Sequence, residues 1–199
     1  MKFKIIVLYA VIFGLGGLAV WFIPYVLNYT HIHHDYTQKT NKHYGAGEQG
    51  QMQHSHDEVN MPGLQGKDTS EEEVHDLKII FKNHKEITRS VEIISNGIRT
   101  ITETKNENLR GAIVSHVVGM VARLEEKRDP QIVIQSPTLD KLFEGSRSIE
   151  TEVRMTELGV EVSQTSKEPD IVEALHKHAA EVSDMARRGM AAIHERMPK

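Results

Sequence analysis

Apolar and polar residues recur with two periods along residues 61–199, and each period appears twice. Apolar positions at three- and four-residue steps predict a helix beginning at Ser70, which has capping-box spacing with Glu73, and a shorter helix from Ser136 to near Gly145. Strands are predicted at 88–94, 98–103, 150–155 and 160–165. Two long helices follow, over about 105–125 and 167–195, with N-caps predicted at Thr104 and Ser166.

An internal repeat explains why the pattern occurs twice. Shifting the sequence by 62 residues aligns eight identities over 77–116, where about two or three would arise by chance. The identical pairs are Leu77/Leu139, Phe81/Phe143, Ile87/Ile149, Val91/Val153, Gly97/Gly159, Lys105/Lys167, Ala112/Ala174 and His116/His178. We therefore expect one α+β domain over 61–199. It would be a tandem duplication of an α-β-β-α unit, with repeats at about 68–125 and 130–197, forming a four-stranded antiparallel sheet with packed helices.

Two turns complete the predicted fold. Asn96-Gly97 between the first two strands is typical of a type I′ hairpin turn, and Glu157-Leu158-Gly159 occupies the matching place in the second repeat. Residues 131–135, in the connection between the repeats, are a candidate for a short additional strand. The two halves should be related by a pseudo-twofold axis.

The first 27 residues predict a transmembrane signal-anchor. Lys2 and Lys4 precede an apolar run from position 5 to 27, and about 20 such residues span a bilayer. A cleavable signal peptide is the alternative, but the sequence around Pro24 offers no small-x-small cleavage site. The positive-inside rule places the N-terminus in the cytoplasm, so this would be a single-pass protein of the inner membrane. Its C-terminal domain would lie in the periplasm or outside the cell.

Residues 28–60 are polar and nearly free of aliphatic side chains, which predicts a flexible tether rather than a folded segment. Short-spaced histidines and a methionine give this tether the composition of a metal-binding tract: His31, His33, His34, Met52, His54 and His56. Such a tract can bind Cu(I), Cu(II), Ni(II) or Zn(II), and without cysteine it favours copper over iron–sulfur clusters outside the cytoplasm. A tether with no specific ligand is the plainer interpretation.

Charge and motifs narrow the class of function. A formal net charge of -4 without a basic helix or zinc finger argues against nucleic-acid binding. The absence of cysteine excludes disulfides and thiolate ligands. Phosphate loops, dinucleotide fingerprints, Gly-x-Ser-x-Gly elbows and His-Glu-x-x-His motifs are missing as well. These observations favour a binding protein over an enzyme, although a histidine base in a cleft between the repeats stays open.

Each long helix carries one histidine within its apolar stripe. His116 and His178 occupy equivalent positions, and Met120, one turn after His116, shares its face, whereas Val182 occupies the matching place in the second helix. One interpretation is that both imidazoles are packed and hydrogen-bonded to strand hydroxyls such as Thr100 or Thr102. A second is that they bind one haem or metal ion, with Met120 as a possible thioether ligand. A proton-transfer role is the third.

Two remaining groups of side chains are expected to have structural roles. Methionine adapts to irregular gaps, so the side chains near the C-terminus are predicted to fill the core or an interface. They are Met185, Met190, His194 and Met197. His176 lies one residue off the apolar stripe and is expected to be solvated.

Three segments resemble a family of exported bacterial proteins: 61–68 (MPGLQGKD), 115–120 (SHVVGM) and 178–190 (HAAEVSDMARRGM). The resemblance covers 61–197. It implies an extracytoplasmic setting and supplies neither a substrate nor a mechanism. From the residues alone, the leading hypothesis is a membrane-anchored binding protein that holds copper or haem through histidines. The alternative is a structural or interaction module of the envelope that acts with a partner protein or as a homo-oligomer.

Overall fold

The computed structural model describes residues 5–6 and 61–195. Its architecture is α+β, as predicted. The helices and strands in chain order are β1 (Ile5–Ile6), α1 (Glu71–Lys82), β2 (Thr88–Ile94), β3 (Gly97–Glu103), α2 (Glu107–Glu126), α3 (Pro137–Glu144), β4 (Ile149–Met155), β5 (Gly159–Ser166), α4 (Pro169–Arg188) and α5 (Ala191–His194). Short 3₁₀ turns occur at Pro62–Leu64, His84–Glu86 and Ser146–Ser148.

Strands β2 to β5 form the predicted four-stranded antiparallel sheet, in the order β4-β5-β3-β2. Strand β1 lies at the edge of this sheet, where its two residues pair in parallel with Val153 and Arg154 of β4. These two residues of β1 lie in the segment predicted to be a membrane helix, and the structure places them in a strand instead. The rest of that segment lies outside the described residues, as do the tether and residues 196–199. No helix within the described ranges has the length and apolar character needed to cross a bilayer.

The two halves of the domain have matching elements spaced 62 residues apart. Helix α4 begins and ends 62 residues after α2, and Ser146–Ser148 follows His84–Glu86 at the same spacing. The hairpins share one register, since Thr88 lies opposite Glu103 and Glu150 lies opposite Thr165. The halves therefore have the same secondary structure and the same strand pairing.

The long helices begin two residues later than predicted. Asn106 is the N-cap of α2, and its side-chain oxygen accepts a hydrogen bond from Leu109 N at 3.2 Å. Glu168 holds the equivalent position before α4 without a side-chain cap. Thr104 and Ser166 instead accept hydrogen bonds from the backbone N–H groups two residues on, at 3.2 Å and 3.1 Å. Both hydroxyls thus make matching turns that lead into the helices rather than capping them.

The hairpin between β2 and β3 does not have the predicted type I′ turn. Ile94 pairs with Gly97, so Ser95 and Asn96 form the loop, and neither has the positive φ that a type I′ turn requires. Gly97 has a different role. A Cβ at this position would lie 1.9 Å from Gln164 O of β5, and a Cβ at Gly159 would lie 2.0 Å from Thr102 O of β3. The two glycines allow the central strands to approach each other.

The helix predicted to continue to 195 is broken at Gly189. This residue has a φ of 60°, and a Cβ there would lie 2.7 Å from the His84 ring. Helix α4 consequently ends at Arg188 and α5 follows. Met185 and Met190 pack against an apolar cluster containing Met61, Leu64 and Phe81, as predicted for core methionines.

Each long helix packs against strands of the other half. Leu109 and Ile113 of α2 form a buried cluster with Val153 and Val160 of the second hairpin. In the matching cluster, Ile171 and Leu175 of α4 pack with Ile98 and Val91 of the first hairpin. The two halves therefore share their cores and form one unit.

The buried Arg123 and the connection between the halves hold the first turn of α1 and the segment that precedes it. Arg123 of α2 has a side chain only 3% exposed, and it donates to both carboxylate oxygens of Glu73, at 2.5 Å and 2.8 Å. It also donates to the carboxylate of Asp68 at 3.0 Å. Residues 131–135 do not form the suggested strand, because only an isolated bridge joins Ile132 to Gly66.

Candidate functional site

A cavity of about 640 Å³ lies between the sheet and the helices. Its floor consists of side chains that alternate along the central strands, namely Ile98, Thr100 and Thr102 of β3 with Val160, Val162 and Gln164 of β5. Its walls come from the four helices α1 to α4 and from residues 132–136. The exposed residues Val133, Pro137 and Lys177 also line it, so the cavity reaches the surface.

The cavity separates the two long helices. Helix α2 packs mainly on α1 and β5, whereas α4 packs mainly on α3 and β3, and the two long helices make almost no direct contact. Helices that pack directly lie about 8–10 Å apart with their side chains interdigitated. The space between α2 and α4 is therefore large enough for a bound molecule.

His116 and His178 line this cavity from α2 and α4. Each follows the apolar residues that bury its helix, Ile113 in one case and Leu175 in the other, at the spacing of one helical turn. The two imidazoles lie deep in the protein, yet part of their surface stays accessible because they face the cavity. Sequence reasoning placed both on the core face of their helices, and the structure brings them to one shared space.

The expected hydrogen bonds from the imidazoles to strand hydroxyls are not formed. No hydrogen bond joins either imidazole to Thr100, Thr102 or any other residue of 61–195. The hydroxyl of Thr102 instead accepts a hydrogen bond from Arg89 Nη1 at 2.6 Å. The Nδ1 atom of His178 is fully buried and has no partner among the described residues. Such an atom is costly to bury unless something satisfies it.

Burial holds both imidazoles in the neutral form. It lowers the pKa of His116 to about 4, although the charge of Glu73 acts in the opposite direction. Burial also lowers the pKa of His178 to about 4; Glu181 opposes this shift, while Arg89 and His116 add to it. The two histidines are therefore close enough to influence each other. At neutral pH each ring has a free lone pair, as metal coordination requires.

Met120 and Val182 lie at equivalent places on the cavity wall, 62 residues apart. The thioether is thus beside His116 but has no counterpart next to His178. Met120 also packs against the apolar cluster that includes Leu124 and Phe143.

Arg89 is a cavity residue that the sequence analysis missed. It lies on β2 opposite Thr102, and its guanidinium lines the cavity. The alternation of side chains along the strand could have revealed it. Arg89 and Val91 alternate with the exposed residues Thr88, Ser90 and Glu92, so the arginine faces the core side of the sheet.

Other histidines have different environments. His176 is not solvated as expected: its Nε2 lies 3.0 Å from Gly97 O and 3.3 Å from Ile94 O, so its ring holds the first hairpin against α4. The tether residues His31, His33, His34, Met52, His54 and His56 lie outside the described residues. Within those residues, no three side chains of His, Cys, Asp or Glu are grouped so as to hold a metal ion.

Comparisons with known proteins were made with family models, curated proteins and solved structures. None of the three gives a match.

Proposed function

We propose that the folded domain binds one haem in the cavity between α2 and α4, with His116 and His178 as the ligands of the iron. One observation carries the proposal: two neutral imidazoles from equivalent helix positions line the same large cavity, and neither has a protein hydrogen-bond partner among the described residues. Imidazole is a common axial ligand of haem iron.

The size and lining of the cavity favour haem over a bare copper-like ion. Cofactor sites typically measure about 300–1,000 Å³ and are mostly apolar with a few placed polar groups. The cavity of about 640 Å³ falls within this range, and the side chains around the two histidines are mainly apolar, among them Ile113, Val117 and Val182. A single ion would occupy only a small part of such a space. Haem iron would supply the redox or ligand-binding chemistry; the chain supplies the imidazoles and the apolar enclosure.

We further propose that the domain arose by tandem duplication of an α-β-β-α unit. The 62-residue spacing of α2 and α4, the identical hairpin registers and the matching turns at Thr104 and Ser166 support this origin. Duplication accounts for the placement of two histidines around one cavity, because a single ancestral histidine becomes a pair across the twofold axis.

We propose the same cellular setting that the sequence predicts. Residues 1–27 anchor the chain in the inner membrane, which requires Ile5 and Ile6 to leave their pairing with β4, and residues 28–60 form a tether that places the domain on the outer side. The tether histidines, with Met52, form an accessory site for a copper-like ion.

Haem titration of the full chain, purified in mild detergent, tests the proposed function. We expect a shifted Soret band that saturates at about one haem per chain, weakened at least about tenfold by either His116→Ala or His178→Ala. His75→Ala is the matched control, because His75 is exposed on α1 and does not line the cavity. Unchanged haem binding in the double variant His116→Ala/His178→Ala would refute the assignment.

A further inference from the structure

Arg89 is a partly buried cation that no carboxylate in the described part of the chain neutralises. Its guanidinium donates to two hydroxyls, Thr102 Oγ1 at 2.6 Å and Ser183 Oγ at 3.4 Å, and it forms no ion pair within residues 61–195. Burial lowers its pKa to about 10, which leaves it charged at neutral pH. Removing a charge from water without a counter-charge is unfavourable.

The acidic residue in the cavity wall has other partners. Glu181 of α4 accepts hydrogen bonds from Ser136 Oγ at 2.7 Å and Thr138 Oγ1 at 2.9 Å. These bonds direct its carboxylate toward the start of α3. The hydroxyls of Thr102 and Ser183 fix the guanidinium of Arg89 from β3 and α4, and it remains part of the cavity lining.

Arg89 also makes the site asymmetric. Most of the cavity lining consists of pairs of equivalent residues, such as Ile80 with Leu142 and Phe81 with Phe143. Thr151 occupies the position equivalent to Arg89 and does not line the cavity. The apolar enclosure is thus shared by both halves, whereas the partly buried cation, Arg89, comes from the first half alone, since Lys177 of the second half is exposed to solvent. Such a lining matches a ligand that is apolar over most of its surface and acidic at one edge.

We infer that Arg89 binds a carboxylate of the ligand, so the cavity selects amphipathic molecules with an acidic edge over neutral molecules of the same shape. This inference deepens the proposed haem-binding function and rests on it for the identity of the ligand, in which a haem propionate would be the carboxylate. Arginine suits the role because its planar donors match the two oxygens of a carboxylate.

Metal-free protoporphyrin IX separates carboxylate recognition from iron coordination. The full chain in one detergent is titrated with this porphyrin and with its dimethyl ester, and binding is followed by porphyrin fluorescence. We expect the acid to bind at least about tenfold more tightly than the ester, because a charged hydrogen-bonded pair contributes about that much. Arg89→Met should abolish the difference, and Arg89→Lys should keep most of it.

Lys177→Met is the matched control, because Lys177 also lines the cavity but is exposed to solvent. It should change the ratio of the affinities for the acid and the ester by no more than about twofold from the wild-type value, since solvated charges contribute little. Circular dichroism and thermal unfolding of each variant without ligand identify any loss of folding, and Arg89→Lys keeps the test valid if Arg89→Met does not fold.

A second pair of ligands separates the proposal of haem binding from the inference that Arg89 binds a carboxylate. The same proteins are titrated with cis-parinaric acid and its methyl ester, which are fluorescent, apolar and not porphyrins. Equal affinities of the wild-type chain for acid and ester would overturn the inference about Arg89 and leave haem binding standing. If no porphyrin binds but the parinaric pair shows a preference that Arg89→Met removes, the haem assignment fails and the carboxylate site stands. If no acid is preferred in either pair, the carboxylate site is refuted.

Discussion

Thr100 of β3 lies directly opposite Val162 of β5, and the two residues are 62 positions apart. The β3–β5 ladder is centred on this pair, and both side chains line the cavity. The cavity therefore lies over the centre of the ladder, where His116 and His178 reach it from different halves. In the duplication that we propose, this pair would mark the twofold axis.

The close approach of β3 and β5 predicts opposite effects for two kinds of glycine substitution. Gly97→Ala or Gly159→Ala should destabilise the domain by about 1–3 kcal/mol, because each Cβ would overlap a carbonyl of the neighbouring strand. Gly111→Ala is the control, since a Cβ on this exposed helical glycine meets nothing within 4 Å. It should stabilise the domain by about 0.5–1 kcal/mol. Urea unfolding measures both, and equal effects at all three sites would contradict the account.

The Glu73–Arg123 ion pair should stabilise the folded domain at neutral pH and lose this effect in acid. Burial would raise the pKa of Glu73, but hydrogen bonds from Arg123 and Ser70 outweigh it and lower the pKa to about 2. The stabilisation is thus present above the ordinary value of 4.5 and lost as pH falls from 4.5 towards 2. Glu73→Gln should cost about 2 kcal/mol at pH 7.

Glu92→Gln is the matched control for that prediction, because Glu92 pairs with Arg99 on an exposed surface, where the two side chains are 60% and 54% accessible. It should change the free energy of unfolding by less than about 1 kcal/mol. A Glu73→Gln variant as stable as Glu92→Gln, measured by urea unfolding at pH 7, would show that the Glu73–Arg123 pair does not stabilise the packing of α1 on α2.

Much of this fold was predictable from the sequence because it depends on local chemistry. Ser70 with Glu73 forms the expected capping box, Ser136 caps α3 with Pro137 in the first turn, and the strands begin within one residue of their predicted positions. The N-caps of the long helices were predicted two residues too early. A threonine such as Thr104 can accept a hydrogen bond from a backbone N–H in more than one kind of turn, so its presence does not fix the first residue of the helix. The break at Gly189 depends on the ring of His84, which is far away in sequence.

The site was predictable only in part. Helical periodicity placed His116 and His178 on apolar faces, but periodicity does not show whether a buried face meets protein or an open space. The 640 Å³ cavity follows from the separation of α2 and α4, which is a property of the whole packing. Arg89 was missed because an isolated arginine in a strand is usually solvated. The only sign of its burial was that it lies two residues from Val91, on the same face of the strand.

Acid should destabilise the domain through the two histidines before it affects Glu73. Burial lowers the pKa of both from 6.5 to about 4, so the unfolded chain binds more protons between these values. Stability is present above pH 6.5 and falls as pH decreases towards 4. His178→Leu should reduce the loss between pH 7 and 4.5 by roughly 2 kcal/mol. Urea unfolding at several pH values measures this loss, and an unchanged loss in His178→Leu would contradict the account.

Met120 provides a test of which side chains bind the iron. If His116 and His178 are the two ligands, Met120→Leu should leave the absorption and electron paramagnetic resonance spectra of the haem complex unchanged, because leucine keeps the volume of the side chain. A spectrum that converts from low spin to high spin in Met120→Leu would instead assign the thioether as a ligand. Val182→Leu, at the equivalent place in the other half, is the control for altered packing.

The spin state of the ferric haem complex tests the central claim most directly. Two imidazole ligands produce a six-coordinate, low-spin iron, so the wild-type full chain should give a low-spin electron paramagnetic resonance spectrum. His116→Ala and His178→Ala should each convert it to high spin, and exogenous imidazole should restore the low-spin signal in both variants by entering the space left by the ring. A high-spin wild-type complex, or a low-spin spectrum that survives both substitutions together, would contradict the account.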